Sequence, residues 1–439
     1  MQKKLYDLNK KLIGDLKAHD PSLIKENDKW WLFHTGRGVG VKSSNDGLNW
    51  KNEDPILDNP LDWWSKYVNN FDKDNDVWAP DLEFFNDKWW LYYSVSEFGT
   101  NNSLIGLLSA DNIENYNWQD EGLVITSTEG QDYNTIDPNL FIDPDGIPWL
   151  VFGSWFDGIK LSKIDPKNMK TTGEIYSLAR RQIGKRPAGV EAPTLTYRNG
   201  YYYLFISIDH CCRGSRSDYK IACGRAEKIT GPYYDKNGIN LLEKGGTVIA
   251  AADENYIGYG GQDIYNNQLL VHHAYNKRDG EYRFFIKELE WENEWPKIKN
   301  YDTNLNSFYK LIDLENQQAA AVESSKTEAR AKIISEEDKN FESQEWLIYP
   351  IEADYYRIQN KHSLLYLEVE NAEKINGAKL QQWSNSRNFC QEWKLINLEA
   401  DVYKIINRNS GKAITKSESG FLVQEDFKNL DNQKWKLVY

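Results

Sequence analysis

The stretch Lys88-Trp89-Trp90-Leu91-Tyr92-Tyr93-Ser94 is one of five copies of a motif that decides the fold. Each copy is rich in aromatic and β-branched residues and follows a turn of Asn, Asp or Gly, which is typical of a buried hairpin strand. The central leucines lie 59, 59, 54 and 66 residues apart, at Leu32, Leu91, Leu150, Leu204 and Leu270. Five hairpin-based sheets at near-constant spacing predict the five blades of a β-propeller.

Carboxylates precede four of the five copies at a similar distance. They lie 10 to 13 residues before the central leucine, at Asp20, Asp81, Asp137 and Glu191. The fifth copy has Ile257 and Gly258 there instead. It also places His273 in a column that otherwise holds small residues, namely Thr35, Ser94, Gly153 and Ser207. Because the innermost strands of all blades begin at one end of the central channel, both departures indicate a site near the axis.

A second repeat follows, with a different period. Tyr309, Tyr356 and Tyr403 are each 47 residues apart, and each unit ends on Gln-x-Trp, at Gln344-Glu345-Trp346, Gln391-Glu392-Trp393 and Gln433-Lys434-Trp435. Three units rich in short strands predict a β-trefoil. The sequence therefore predicts an all-β protein, with a five-bladed β-propeller at residues 1–300 and a β-trefoil at 307–439, joined by a polar linker at 300–306.

Charge and composition limit the possible partners. The net charge of -13 argues against nucleic acid and anionic membrane surfaces, and it leaves a neutral polysaccharide open. The 14% aromatic content supplies flat rings on which sugars stack, although blade packing explains most of them. We expect a monomer. No apolar run is long enough to span a membrane, and residues 1–17 lack the apolar core of a signal peptide. We expect a secreted protein whose signal is absent from this sequence, with a cytoplasmic location as the alternative.

Three acids that converge on a propeller axis suit glycoside hydrolysis, which needs one carboxyl as general acid and one as general base. A third acid beside the general acid raises its pKa by repulsion and keeps it protonated near neutral pH. A single acid at a strand end is more often a turn or cap residue. The matching positions in successive blades are what favour a catalytic site.

Local sequence around these acids resembles glycoside hydrolase family 43. The resemblance rests on Ala18-His19-Asp20-Pro21, Trp78-Ala79-Pro80-Asp81, Ile136-Asp137-Pro138-Asn139 and Val190-Glu191-Ala192-Pro193. Within that family, Cys211-Cys212-Arg213-Gly214 and Phe152-Gly153-Ser154-Trp155 resemble the endo-α-1,5-L-arabinanases. Residues 258–261 read Gly-Tyr-Gly-Gly where related arabinanases usually carry Gly-Pro-Gly-His.

The resemblance implies roles for individual residues. Asp20 would be the general base of an inverting mechanism, Glu191 the general acid, and Asp137 the group that tunes the pKa of Glu191. Asp81 would be structural. The substrate would be arabinan, the neutral side chain of pectin. Candidate sugar contacts are His34, Trp78, Asn139, Ser154, Trp155 and Arg213.

The resemblance also implies a metal. His273 matches a family histidine that faces an ion, usually calcium, in the propeller channel. Calcium prefers oxygen ligands, so a lone histidine requires water to complete the shell. A hydrogen-bonded core histidine is the alternative.

The second repeat resembles the ricin B-type lectins and carbohydrate-binding module family 13. In that family Gln and Trp of the motif are mainly core residues. Lobe two offers the best sugar site, with Glu368, Trp383 and Asn388, although Cys390 stands where the family usually has Asn. A purely structural trefoil is the alternative.

Two other functions remain open at this stage. One is an exo-acting α-L-arabinofuranosidase or β-xylosidase of the same family, which the Cys211-Cys212-Arg213-Gly214 motif disfavours. The other is a carbohydrate-binding protein that has lost catalysis, which the retention of Asp20, Asp137 and Glu191 disfavours.

Overall fold

The computed structural model describes residues 12–74, 76–183, 186–253, 255–299, 308–352, 355–386 and 388–438. They form two compact units, one built mostly from residues 12–299 and one mostly from residues 308–438. The predicted linker at 300–306 lies outside the described residues, so the predicted domain ends stay predictions. Within the described residues, no helix is both long and apolar enough to cross a bilayer.

The first unit contains five antiparallel sheets of four strands, and β1 adds a parallel fifth strand to the first sheet. The first two blades are β1 (Ile13–Gly14), β2 (Ser22–Glu26), β3 (Lys29–His34), β4 (Gly40–Ser44) and β5 (Asn49–Asn52), then β6 (Trp78–Phe85), β7 (Lys88–Ser96), β8 (Ser103–Ala110) and β9 (Gln119–Ser127). The third is β10 (Asn139–Ile142), β11 (Pro148–Phe152), β12 (Ile159–Asp165) and β13 (Lys170–Ala179).

The last two blades follow a short pair, β14 (Gln182–Ile183) and β15 (Arg186–Pro187). They are β16 (Val190–Arg198), β17 (Tyr201–Ile208), β18 (Lys220–Ala226) and β19 (Thr247–Ala250), then β20 (Tyr256–Tyr265), β21 (Leu269–Asn276), β22 (Tyr282–Glu292) and β23 (Trp295–Ile298). Single 3₁₀ turns lie at Asp62–Lys66, Gly214–Arg216 and Leu241–Glu243. These sheets confirm the predicted five-bladed propeller.

The repeated motif forms the second strand of every blade, as predicted. Its five central leucines are completely buried. The preceding turns use the left-handed region, with φ of 48° at Asn27, 50° at Asn86 and 50° at Asn199. Asn tolerates this conformation better than most residues, which explains its recurrence before the strands.

The small-residue column has a shared structural task that the sequence did not reveal. A side chain at the end of the second strand accepts a hydrogen bond from a backbone N–H at the start of the next blade. The acceptors and donors are Thr35 Oγ1 and Ala79 N (2.9 Å), Ser94 Oγ and Asp137 N (3.0 Å), Ser207 Oγ and Gly261 N (3.0 Å), and His273 Nδ1 and Asp20 N (3.2 Å). His273 thus makes the bond that joins the fifth blade back to the first.

A second ring of bonds links the innermost strands. Here the side-chain acceptors and backbone donors are Ser22 Oγ and Leu82 N (3.3 Å), Asp81 Oδ2 and Leu140 N (2.7 Å), Asn139 Oδ1 and Leu195 N (2.9 Å), and Asp263 Oδ2 and Leu23 N (2.8 Å). Between the fourth and fifth blades, Thr194 Oγ1 donates to Gln262 O at 2.7 Å. Since each bond satisfies a buried backbone or side-chain group, the ring fixes the blades around the channel.

The second unit is a closed barrel of six strands with three hairpins, which confirms the predicted trefoil. The barrel strands pair in the order β24 (Phe308–Asp313), β27 (Trp346–Glu352), β28 (Tyr355–Asn360), β31 (Trp393–Glu399), β32 (Val402–Asn407) and β35 (Trp435–Val438), and β35 pairs with β24. The hairpins are β25 (Ala319–Val322) with β26 (Ile333–Glu336), β29 (Tyr366–Val369) with β30 (Leu380–Trp383), and β33 (Ala413–Lys416) with β34 (Leu422–Glu425). Single 3₁₀ turns lie at Glu323–Ser325, Glu342–Gln344, Glu370–Ala372, Phe389–Gln391 and Asp431–Gln433.

The three Gln-x-Trp motifs occupy equivalent core positions. Their tryptophans are fully buried, and each indole N–H donates to a backbone carbonyl at 2.9–3.1 Å, of Ala320, Leu367 and Ile414. The glutamine amides likewise donate to backbone carbonyls of Glu337, Ser384 and Asp426. The motif therefore builds the core of each lobe.

Candidate active site

The inner strands of the propeller line an acidic cavity that is partly open to solvent. Four carboxylates line it, those of Asp20, Asp81, Asp137 and Asp263. The start of each inner strand supplies one wall, so acids far apart in the chain meet in one channel. This is the convergence that the sequence predicted for Asp20, Asp81 and Asp137.

Asp20 lies just before β2 and is held as a carboxylate. Its Oδ2 accepts hydrogen bonds from Thr35 Oγ1 at 2.7 Å and from His19 Nδ1 at 2.8 Å. Although burial opposes ionisation, the charge and hydrogen bond of His19, with His273 and Thr35, hold the pKa of Asp20 well below its usual range. Asp20 is therefore ionised throughout the neutral range.

His19 is a member of the site to which the sequence analysis gave no role. Its Nδ1 faces Asp20, and its Nε2 lies 2.6 Å from the hydroxyl of Tyr275 on β21. Despite burial, the Asp20 carboxylate raises the pKa of His19 well above its usual range. The clue was its place beside Asp20, but only the fold brings Tyr275 to its other side.

Glu191 lies on β16 and has the opposite protonation preference. Its Oε2 accepts a hydrogen bond from Ser154 Oγ at 2.7 Å. Burial, together with the charges of Cys212 and Asp20, raises the pKa of Glu191 to about 7, although hydrogen bonds from Ser154 and Tyr219 oppose the rise. Ser154 is therefore a hydrogen-bond donor to the carboxyl group of Glu191.

Asp137 is the third acid of the site, and its pKa is raised like that of Glu191. Its Oδ2 accepts a hydrogen bond from Ala192 N at 3.0 Å, next to Glu191 in the chain. Burial, and then the repulsion of Glu191 and Asp20, raise the pKa of Asp137 well above its usual range. The site therefore combines one firmly ionised carboxylate with a pair that retains a proton near neutral pH, which is the separation of acid and base that glycoside hydrolysis needs.

The predicted sugar contacts differ in their surroundings. Trp78, half-buried at the start of β6, packs edge-on against the exposed Phe98 with ring centroids 6.3 Å apart. Trp155 is half-buried, and its ring centroid lies 5.5 Å from that of His210. Arg213 is exposed in the loop between β17 and β18. These side chains keep part of their surface accessible.

His34 and Asn139 are more enclosed. His34 Nδ1 donates to Thr35 O at 2.8 Å, and burial lowers the pKa of His34 to about 4, so the ring is neutral. Asn139 is buried, with its amide donating to Asp81 Oδ1 at 2.9 Å while its oxygen accepts from Leu195 N. These bonds favour a scaffold role for Asn139 and match the structural role expected of Asp81.

Two glycines of the segment that departs from the family motif allow a close approach of the backbone to the site. Gly261 has φ of +55°, and a Cβ there would lie 2.2 Å from Asp20 Oδ1 and 2.7 Å from His273 Nδ1. At Gly260 a Cβ would lie 2.1 Å from the Tyr219 ring. A side chain at either position would displace groups of the site.

His273 has one nitrogen suited to a metal. Its Nε2 is buried and has no hydrogen-bond partner among the described residues, which is the mark of an atom that a ligand or water satisfies. Its Nδ1 accepts a hydrogen bond from Asp20 N at 3.2 Å, so a cation at Nε2 would require the ring proton to move to Nδ1, which lies 3.5 Å from Asp20 Oδ1. Burial and the charge of His19 keep the pKa of His273 well below its usual range. A neutral imidazole beside an acidic channel fits a cation.

The predicted sugar site in lobe two of the trefoil is partly occupied by the protein itself. Glu368 is buried, and its carboxylate accepts hydrogen bonds from Gln381 Nε2 at 2.8 Å and Gln391 Nε2 at 2.9 Å. Asn388 accepts from Cys390 N at 3.2 Å as a helix cap. Trp383 is half-buried, with the Arg330 guanidinium 5.3 Å from its ring centre. Of the three residues, the half-buried Trp383 and the exposed Asn388 offer accessible surface, and Glu368 does not.

Comparisons with known proteins agree with this geometry. Residues 10–296 match the family model of glycosyl hydrolases family 43, and residues 294–383 and 342–421 match the ricin-type β-trefoil lectin domain-like model. The chain is 50% identical over 283 residues to the extracellular endo-α-(1→5)-L-arabinanase 1 of Bacillus subtilis, covering 63% of this chain and 86% of that protein. It is 35% identical over 300 residues to the extracellular exo-α-(1→5)-L-arabinofuranosidase ArbA of Cellvibrio japonicus, covering 64% and 86%.

A solved structure gives the same result. The endo-arabinanase of Bacillus licheniformis superposes with a TM-score of 0.63 at 49% identity, covering 66% of this chain and 99% of that one. The family match spans well over half of the chain and includes Asp20, Asp137 and Glu191. The chain therefore belongs to the glycosyl hydrolases of family 43 and carries a ricin-type β-trefoil after its catalytic propeller.

Proposed function

We propose that this enzyme is an endo-α-1,5-L-arabinanase that cleaves arabinan with inversion of configuration. The observation that carries the proposal is that two carboxyl groups of one site have opposite surroundings, because His19 bonds Asp20 whereas Ser154 bonds Glu191. Asp20 is held ionised by His19, whereas the pKa of Glu191 is about 7. An inverting glycosidase needs one group to accept a proton from water while the other donates one to the leaving oxygen.

In this mechanism Asp20 removes a proton from a water molecule that attacks the anomeric carbon of an arabinofuranosyl unit. Glu191, held by Ser154, protonates the glycosidic oxygen of the leaving chain. Asp137 and Glu191 repel each other when both are ionised, so the pair holds a proton that Glu191 can donate. Trp78, Trp155, His34 and Arg213 are the proposed sugar contacts.

The relatives support endo action on arabinan. The Bacillus subtilis protein is named for endo cleavage and is more similar to this chain than the Cellvibrio japonicus protein, which is named for exo cleavage. An exo-acting enzyme would give a different product profile from an endo-acting one. Endo cleavage of debranched arabinan releases a ladder of oligosaccharides early, whereas exo cleavage releases one short product from the start.

The stereochemistry is tested independently. A single displacement at an α-arabinofuranoside first releases the β-anomer, and proton NMR before mutarotation distinguishes it from the α-anomer. Initial α-anomer would make one of the two carboxyls a nucleophile and overturn the mechanism. Absence of any reducing sugar would favour the alternative of a non-catalytic carbohydrate-binding protein.

The proposal extends to calcium at His273. The unsatisfied Nε2 supports it, and water would complete the oxygen shell that calcium prefers. A bound divalent ion supplies positive charge to the acidic channel. Removal of calcium by a chelator is expected to lower the melting temperature, because an ion that binds only the folded state stabilises it. An unchanged melting curve would mean that His273 does not hold calcium and only makes its hydrogen bond between the blades.

The relatives named as extracellular support secretion of this enzyme. We further propose that the trefoil retains the enzyme on arabinan through lobe two, with Trp383 as the platform. A monomer with a neutral polysaccharide as its partner is consistent with the net charge of -13.

A further inference from the structure

Two adjacent thiols lie close to the acids, and the mechanism above gives neither of them a role. Cys211 and Cys212 follow β17, the strand that pairs with β16, on which Glu191 lies. Both are free thiols, and Cys212 is exposed, whereas Cys211 is partly buried. The other two cysteines of the chain, Cys223 and Cys390, are buried. A reagent in solution therefore reaches Cys212 most easily.

Hydrogen bonds hold the backbone around Cys212 in one conformation. Its φ is +62°, in the left-handed region that residues with a Cβ rarely adopt. Its N–H donates to the Tyr275 hydroxyl at 3.2 Å, and the N–H of Arg213 donates to Ser217 Oγ at 3.0 Å. The same Tyr275 hydroxyl lies 2.6 Å from His19 Nε2. These bonds fix the position of the thiol relative to the imidazole of His19.

The groups around the two thiols give them different tasks. Cys211 Sγ lies 3.5 Å from His19 Nε2 and 3.4 Å from the Tyr275 hydroxyl, so the pair of thiols packs against polar groups. The hydrogen bond from Cys211, and then that from His19, lower the pKa of Cys212 to about 5, although desolvation opposes the change. Burial raises the pKa of Cys211 well above its usual range. Since the thiolate is the nucleophile, Cys212 is the reactive member and Cys211 is its hydrogen-bond donor.

We propose that Cys211 and Cys212 form a modification site for small disulfides, at which a mixed disulfide on Cys212 reversibly inhibits hydrolysis. The Cys212 sulfur attacks one sulfur of the reagent, the bond between the two reagent sulfurs breaks, and the other half leaves as a thiolate. Cys212 is thereby oxidised and the leaving half is reduced. An excess of a free thiol reverses the exchange. The inhibition rests on the function proposed above, whereas the exchange does not.

An adduct on Cys212 lies next to groups that the substrate needs. Arg213, the next residue, is a proposed sugar contact. The ring centroid of His210 lies 5.5 Å from that of Trp155, another proposed sugar contact. The charge of Cys212 also raises the pKa of Glu191. The adduct removes this charge and adds bulk beside the sugar contacts, so it disturbs both the general acid and the placement of the substrate.

The test treats the full chain with oxidised glutathione. We expect intact mass and peptide mapping to show one glutathione per chain, on Cys212. Arabinan hydrolysis should fall by at least about tenfold, because a small displacement of the substrate is costly, and dithiothreitol should restore it. Absence of the adduct, or its location on another cysteine, overturns the proposal, and this mass measurement does not depend on the substrate. An adduct on Cys212 that leaves hydrolysis unchanged overturns the inhibition.

Variants of the two thiols separate their tasks. Cys212→Ser should form no adduct, and its own rate of hydrolysis should be the same before and after treatment. Cys211→Ala keeps the nucleophile but loses the hydrogen-bond donor, so at pH 6 its adduct should form roughly tenfold more slowly, whereas Cys211→Ser keeps a donor and should be affected less. Equal rates for Cys211→Ala and the unaltered chain would remove Cys211 from the site. If Cys212→Ser does not fold, arabinan oligosaccharides decide, because they must slow adduct formation on the unaltered chain, and unchanged exchange overturns the proposal.

Discussion

The propeller and the trefoil are both built from internal repeats, but they use repetition in opposite ways. In the trefoil the three Gln-x-Trp motifs share the same Gln and Trp, and each Trp makes the same bond to a backbone carbonyl in the core. In the propeller the equivalent positions hold different residues, such as Thr35, Ser94 and His273 in one column. Those positions bond the segments that carry the acids, at Ala79 N, Asp137 N and Asp20 N.

This difference between the two units shows which positions of a repeat indicate packing and which indicate a functional site. A residue that is the same in every copy satisfies a need of every copy, which is packing. A residue that differs between equivalent copies is not required for packing in every copy. Such a position can therefore hold a residue of a functional site. Even so, the channel residues keep a common bonding task, since Thr35, Ser94, Ser207 and His273 all accept a backbone N–H from the next blade.

The largest effect that this comparison predicts comes from the non-repeated acids. Asp20→Asn, Asp137→Asn and Glu191→Gln should each reduce kcat for arabinan by about 10²–10⁴-fold, the usual contribution of acid–base catalysis. Melting temperatures of Asp137→Asn and Glu191→Gln should stay close to that of the unaltered enzyme, because the amides keep the shape of the carboxyls, whereas Asp20→Asn loses its charge pairing with His19 and should melt earlier. Initial rates and thermal melts measure both.

Asp81→Asn is the control among the acids. Asp81 lies in the same cavity but bonds Asn139 and Leu140, so its loss should reduce stability more than the chemical step. Full activity in any of the three acid variants would mean that the cavity does not carry the reaction as proposed.

The fold was predictable because its signals are repeated. Five copies of an aromatic strand motif and three copies of Gln-x-Trp each report one structural unit, and the five buried leucines and three buried tryptophans confirm them. For the candidate site, matching distances before the strands predicted that the acids converge on the channel, and Asp20, Asp81 and Asp137 do line it; their catalytic roles stay predictions. Ser154 was also expected near the substrate, and the structure places it on Glu191.

The rest depended on contacts between distant blades. Tyr275 reaches His19 across 256 residues, and Leu23 N reaches Asp263 across 240. Neither pairing has a local signal, because no sequence spacing states which side chains of separate blades touch. Asn139 was predicted as a sugar contact from its motif, but bonds to Asp81 and Leu195 occupy its amide group.

The second prediction concerns the repeated core. Trp393→Ala should lower the free energy of unfolding of the trefoil by about 3–5 kcal/mol, because a fully buried indole is lost together with its bond to Leu367 O. Urea unfolding of the full chain, followed by limited proteolysis and mass spectrometry of the second unit, measures it. Trp383→Ala, at a half-buried position, is the control and should cost less. Equal losses would mean that the repeated motif is not the core of the lobe.

The third prediction uses the opposite pKa shifts in the propeller. Glu191 must be protonated to act, so kcat/KM should fall about tenfold per pH unit above its pKa of about 7. Asp20 must be ionised, and its lowered pKa places the acidic limb below the usual carboxyl range. An aryl arabinofuranoside with an activated leaving group needs little protonation, so its alkaline limb should flatten. An alkaline limb that is identical for both substrates would assign it to a group other than Glu191.

The smallest effect is expected where the trefoil repeat itself diverges. Lobes one and three have Glu336 and Glu425 at the position that Trp383 occupies in lobe two. Because lobe two differs from the other copies there, we expect it to be the lobe that binds sugar. Trp383→Ala should weaken retention on insoluble arabinan a few-fold, since stacking on a ring is worth about 0.5–1.5 kcal/mol. Hydrolysis of short oligosaccharides should not change, and removal of residues 307–439 should have the same pair of effects. Phe341→Ala, an exposed aromatic outside lobe two, is the matched control in a pull-down on arabinan. Equal retention of all four proteins would mean that divergence in this trefoil has not produced a sugar site, and that Trp383 is covered by Arg330 for structural reasons alone.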